Sequence, residues 1–238
     1  MTNSGKRPSN GGLLAMLKRR PQTRAGRRRA WAAAWRPIAI VLAIAFAAAP
    51  AAAQSGERPS IFGSAESAPN PDISLFPDWA GVIDRMNATP EPFEDACEFP
   101  QTNRCFLKKW NQFLAGLRNS DRASQLEAVN SYMNNFRYVA NARWETPLEF
   151  YFMSGDCKDY AVAKYMSLRY LGFLPEEMRI VVVRDLNLRV DHAVLVVYIN
   201  GEALVLDNQI HQIVNARNVH HYKPTYSINE QDYWLHRS

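Results

Sequence analysis

The chain has 238 residues, 47% hydrophobic, 11% aromatic and 21% charged. That is too apolar for a disordered chain, too poor in Gly and Pro for a collagen-like one, and free of the 20–50-residue period that marks a solenoid. The net charge of +5 belongs to one end: residues 1–53 hold 10 Lys/Arg and no Asp/Glu, so the rest carries 18 basic against 23 acidic residues, net −5, and gives no reason to expect nucleic acid as a partner.

Residues 6–36 are rich in Arg and Lys, through Arg27-Arg28-Arg29 and Arg36. An uncharged, Ala-rich run from Ile38 to Ala53 follows and ends in Ala51-Ala52-Ala53-Gln54, a small-x-small cleavage pattern. Charged region, short apolar region and small-residue exit read as a signal peptide with a basic n-region over 1–53. The run is several residues short of the roughly 20 that span a bilayer. An uncleaved N-terminal anchor is the alternative, a twin-Arg export signal is compatible with the Arg run, and Met16 is a second candidate start. Each places the body outside the cytoplasm. Residues 54–74, rich in Ser, Pro, Gly and Ala, read as a flexible linker, and 75–238 as one folded domain.

Of three cysteines, Cys97 and Cys105 flank Pro100 and Asn103. In an oxidising compartment a disulfide is expected there, two buried thiols being the alternative. Cys157 is then left over, and a nucleophile is one of the few good reasons for an odd cysteine in an exported protein.

Apolar residues from Phe106 to Leu117 recur at helical spacing, and a second helix is expected from Ala123, with Leu126, Val129, Tyr132, Met133 and Phe136 on one face. Asn119, Ser120 and Asp121 separate the two. Trp144 to Pro147 reads as a loop and Leu148 to Met153 as a helical turn; Ser154-Gly155-Asp156 punctuates the chain. A third helix is predicted from Cys157 to Leu171, closed by Gly172. Strands are predicted over 179–184, 192–199 and 202–207, with Asn200-Gly201 as a two-residue hairpin turn, and a last one near Tyr226–Ile228 and Trp234. Helices followed by an antiparallel sheet make an α+β fold.

Cys157 falls at a helix N-terminus, where unpaired N–H groups and the dipole favour a thiolate and can receive an oxyanion. His192 opens a strand and can exchange a proton near neutrality. Asp207 closes the neighbouring strand. If Ile199 pairs with Glu202, His192 faces position 209, two past Asp207, so Asp207 is a near or diagonal neighbour able to orient the ring; a bulge would shift this by one. A strand-start His is ordinarily structural and a strand-end Asp ordinarily a turn cap. In the order Cys, His, Asp on these elements they read as nucleophile, base and orienter, a papain-like logic.

The stretches Trp144-Glu145-Thr146-Pro147-Leu148-Glu149-Phe150, Gly155-Asp156-Cys157-Lys158-Asp159-Tyr160-Ala161, Ala163-Lys164-Tyr165 and Leu171-Gly172 resemble the bacterial transglutaminase-like cysteine proteinases. So do Asp191-His192-Ala193-Val194, Val205-Leu206-Asp207-Asn208 and Tyr226-Ser227-Ile228-Asn229, with Trp234 and Leu235. The resemblance runs from about Trp79 to the C-terminus, and the paired cysteines near Pro100 fit a subgroup of the family. It implies a papain/transglutaminase-like fold, with helices packed on an antiparallel sheet. It implies a periplasmic cysteine endopeptidase working through a thioester, with Cys157, His192 and Asp207 as its triad. The implied partners are a protein substrate such as a large biofilm adhesin, and an inner-membrane receptor responsive to cyclic-di-GMP. Transglutaminase-type acyl transfer and a non-catalytic protein-binding module are the alternatives.

Family members bind calcium through acids flanking the cysteine. Asp156 matches one; Lys158 stands where the other is usually Glu, and an ammonium repels a cation. No cofactor is therefore expected to be required, with calcium at Asp156 the alternative and Asp159 and Asp191 substitute ligands. Lys158 either takes over the ion's electrostatic role or points to solvent. Trp144 is expected to wedge the cleft or donate its indole N–H to an oxyanion hole. His211, His220, His221 and His236 read as surface or loop residues without zinc spacing.

Overall fold

The computed structural model describes residues 58–88 and 103–237, the first five of the latter as backbone only. The leader expected over 1–53, Cys97 and the Cys105 side chain lie outside the described residues. The described chain runs β1 (Ala65–Glu66), α1 (Pro77–Asn87), α2 (Asn103–Leu117), α3 (Arg122–Asn134), α4 (Pro147–Met153) and α5 (Cys157–Tyr170). It continues through β2 (Met178–Asp185), β3 (Val190–Ile199), β4 (Glu202–Leu206), β5 (Val214–Asn215), β6 (Tyr222–Ile228) and β7 (Tyr233–Arg237). The strands form an antiparallel sheet in the order β1-β7-β6-β2-β3-β4-β5. This is the α+β arrangement expected from helices preceding strands.

The helix α5 positions the site. Every residue from Asp159 to Leu168 is buried, as suits a helix with apolar residues on all sides, a pattern that marks a helix enclosed by protein. Its C-terminus closes as a Schellman motif: Gly172, at φ +91°, donates to Arg169 O at 3.0 Å and Phe173 N to Leu168 O at 3.0 Å. On one side α5 packs against β3 and β2, on another against α3 and α4. Trp110 of α2 donates its indole N–H to Ser167 at 2.9 Å inside this core.

Alternation along β3 separates two cores. Leu195 and Val197 join the helical layer with Met178 and Ile180 of β2, whereas Val194 and Val196 join Ile61, Val181, Val183 and Val205 in a second cluster. The period of two sends neighbours to opposite faces. The hairpin has its expected turn: Asn200 and Gly201 both have positive φ, 52° and 76°, as a type I′ turn requires, and Ile199 pairs with Glu202 through to Leu195 with Leu206.

Two local expectations differ from the structure. Residues 58–74, read as linker, are in part a packed arm: Ile61 is fully buried, β1 pairs with β7, and Glu66 binds Arg179 at 2.7 Å. Composition reports the turn-forming Ser, Pro and Gly there; a single buried Ile and an edge pairing are tertiary events that it cannot register. Asn119 to Asp121 separate α2 from α3 as expected, and Asp121 does so as the N-cap of α3, accepting from Ser124 N at 3.0 Å. His236, read as a surface residue, is clamped between Ser64 at 2.8 Å and Ser227 at 2.9 Å.

Candidate active site

Cys157 is the first residue of α5 and is partly exposed, the free cysteine among the described residues. Its position is fixed by the turn before it. Ser154 has φ 62°, an uncommon conformation for a residue with a side chain, and Gly155 follows where a Cβ would meet Asp159 Cβ and Oδ2 at 2.6 Å. Only glycine fits under the Asp159 carboxylate. Asp156 is the N-cap and forms a capping box with Asp159. The positive end of α5 is therefore aimed at the sulfur and at whatever oxygen the Cys157 N–H receives. The phenol of Tyr138 lies near this end of the helix, and its ring stacks on Tyr160 at 6.4 Å.

His192 on β3 is buried, and its Nε2 lies 2.8 Å from Asp207 Oδ1. Asp207 follows β4 and accepts three further bonds that orient it: from Tyr222 Oη at 2.7 Å, from Gln209 N at 2.9 Å, and, at its carbonyl, from Asn134 Nδ2 at 2.8 Å. With Nε2 engaged on Asp207, Nδ1 is the ring nitrogen left; it has Gln209 Nε2 at 3.3 Å, and the Cys157 sulfur is near enough to act on the ring's charge. Burial alone would strip the proton from this imidazole. The bond to Asp207 and the nearby sulfur outweigh it and push His192 up to about 9. Burial likewise works against the Asp207 carboxylate, but its bonds to His192 and to the Gln209 N–H hold it below the usual carboxylate range. The hairpin register put position 209 opposite His192, and Gln209 is indeed at the ring; Tyr222 and Tyr138 gave no sequence signal, because β6 and the 138 loop arrive through long-range pairing.

Beside this group the Lys158 ammonium is enclosed by oxygens. Nζ lies 2.7 Å from Asp156 Oδ1, 2.8 Å from Asn141 Oδ1, 3.1 Å from Asn141 O and 3.4 Å from Asp159 Oδ2, and the side chain is 14% exposed. Lys158 thus turns inward, not to solvent. Asp159 is fully buried and accepts from Asn141 Nδ2 at 2.9 Å, Asp156 N at 3.0 Å and Glu145 N at 2.9 Å, stapling the 141–145 loop to α5. Burial raises Asp159 despite these bonds. Glu145 is buried beside it and is pushed up to about 7, chiefly by burial and then by the Asp159 charge. Asp191 lies apart, 80% exposed and paired with Arg184. Among the described residues no three His, Cys, Asp or Glu side chains gather as a metal site.

The Trp144 ring packs edge-on against Trp79 at 6.2 Å and lines a pocket with Phe76, Trp79, Tyr226 and Ile228 that contains none of the Cys157, His192 and Asp207 side chains. It is a packing wedge, with its carbonyl held by Arg85 at 2.6 Å. Among the described residues no helix is long and apolar enough to cross a membrane.

Structural comparison finds Legionella pneumophila LapG at 28% identity and a TM-score of 0.53, covering 66% of this chain and 86% of that one. The same protein in its calcium-bound and EGTA-treated forms gives TM-scores of 0.54 and 0.53 at the same identity, covering 66% of this chain and 86% and 84% of those. No curated relative matches by sequence. Residues 85–237 match the family described as bacterial transglutaminase-like cysteine proteinase. With a partly exposed cysteine heading a buried helix and the helices laid on an antiparallel sheet, the chain belongs to that family and is a cysteine peptidase of the transglutaminase-like type.

Proposed function

We propose that the chain is an exported, periplasmic endopeptidase in which Cys157 is the nucleophile, His192 the general base and acid, and Asp207 the group that orients the ring. The observation that carries this reading is the continuous chain from Tyr222 through Asp207 to His192 Nε2, which leaves Nδ1, beside Gln209, as the ring nitrogen to serve the Cys157 sulfur. The sulfur, its proton already held by the imidazolium, attacks the peptide carbonyl carbon. The carbonyl oxygen takes the negative charge and is received by the Cys157 N–H, with the Tyr138 hydroxyl beside it. Burial, then the charges of Cys157 and Asp156, raises the Tyr138 phenol, so it keeps its proton and can donate. The intermediate collapses to a thioester, the leaving amine taking the proton from the imidazolium. Water then gives a proton to His192, attacks the thioester, and the sulfur leaves to be reprotonated.

The family implies a protein substrate, and we read it as a surface-anchored or secreted protein such as a biofilm adhesin, with a membrane receptor as a regulator. Calcium, bound in one of the LapG structures, is read as dispensable here. Calcium takes six to eight oxygens at about 2.3–2.6 Å, whereas the oxygens beside Cys157 already close on an ammonium. The residues present do not fit the ion.

The test is processing of surface proteins in cells carrying the intact chain or Cys157→Ala. The expected result is a released fragment that disappears in the variant. A Cys157→Ala chain that still cleaves would overturn the reading, and amine incorporation without a released fragment would replace it with acyl transfer.

A further inference from the structure

We infer that the Lys158 ammonium is a built-in cation that clamps the nucleophile turn to the 141–145 loop, holding in one chain an assembly that a divalent ion would otherwise have to hold. The inference deepens the proposed function, since it concerns the same cysteine.

Lys158 has three N–H donors and no acceptor. Its three nearest oxygens, Asp156 Oδ1, Asn141 Oδ1 and Asn141 O, stand at 2.7, 2.8 and 3.1 Å, one for each donor. The fourth, Asp159 Oδ2 at 3.4 Å, supplies charge more than a bond. Two carboxylates and two neutral oxygens from two separate segments converge on one nitrogen. One segment is the capped start of α5, which carries Cys157 between Asp156 and Lys158; the other is the loop whose Glu145 N is bound by the Asp159 carboxylate. The Asn141 amide is used at both ends, its oxygen accepting from Lys158 and its nitrogen donating to Asp159 at 2.9 Å, so its orientation is set by the ammonium.

Without a positive centre, the Asp156 and fully buried Asp159 carboxylates would sit within one helical turn with only neutral N–H donors and the helix dipole to offset them. The ammonium supplies that charge covalently, so it has no binding equilibrium and no chelator can withdraw it. Lys158 is thereby a positioning residue: it acts on the turn that presents the sulfur, not on substrate.

Melting and calorimetry on the purified chain test this without reference to cleavage, so loss of the peptidase reading would leave the result standing. The wild type is expected to melt at the same temperature in calcium chloride and in EGTA and to show no calcium binding by titration calorimetry. Lys158→Met, which keeps the stem and removes the charge, should melt lower by about 5 °C or more in EGTA. Lys158→Glu adds a third carboxylate to those of Asp156 and Asp159; it should bind calcium and regain stability on its addition, reversibly with EGTA. Calcium binding that stabilises the wild type, Lys158→Met melting with the wild type, or Lys158→Glu indifferent to calcium would each overturn the proposal. If Lys158→Glu fails to fold, the Lys158→Met comparison decides alone.

Discussion

Replacing Asp207 by Asn tests the electrostatics of the site most directly. The carboxylate accepts from His192 Nε2 at 2.8 Å and is the largest influence raising an imidazole that burial otherwise depresses; together with the sulfur it brings His192 to about 9. Asn keeps the shape and removes the charge, so only the sulfur is left to oppose burial and the ring falls toward its ordinary value of about 6.5. At pH 8 the imidazolium population then drops from about 90% toward about 3%, a loss of up to roughly 30-fold in the form that protonates the leaving amine. The assay is the pH profile of kcat/KM, paired with NMR titration of the ring: both should show the alkaline limb moving down from near 9 toward 7. Stability should follow the same sign. A His raised in the folded state contributes fully below the unfolded value and loses that contribution as pH rises through the folded one. The wild type should therefore lose about 3 kcal/mol between pH 6 and pH 10 through this group, and Asp207→Asn should not. An alkaline limb that stays near 9 in the variant would refute the assignment of Asp207 as the group that sustains the imidazolium.

Gly155→Ala should lower the melting temperature by about 5 °C and cut activity, because its Cβ would sit 2.6 Å from Asp159, and overpacking at such a point costs about 1–3 kcal/mol; thermal melts with active-site titration check this. Gln209→Ala should lower kcat about three- to tenfold with little change in KM or melting temperature, the loss of one hydrogen bond to His192 Nδ1; steady-state kinetics decide it.

The parts of the site legible in the sequence are those whose geometry is local. Asn200-Gly201 fixes a two-residue turn, the turn fixes the register, and the register carries His192 close to Asp207 and opposite Gln209. Gly155-Asp156-Cys157 likewise reads directly as a capped helix start. Tyr222 was invisible because it reaches Asp207 only once β6 has paired with β2, a strand from much earlier in the chain. The inward turn of Lys158 was equally hidden: an exposed and an enclosed lysine on the first turn of a helix look alike in sequence, and only Asn141, arriving from another loop, decides between them.

The short arm before α1 bears on how the protein can be handled. Ala65 and Glu66 cover the outer side of β7, and Ile61 plugs the cluster behind β2 and β3. A fragment begun at Leu75, where composition would place the boundary, would bare a hydrophobic socket next to a row of unsatisfied amides and carbonyls. Such a rim invites another molecule's strand, so solubility of the catalytic unit depends on a stretch that takes no part in its chemistry.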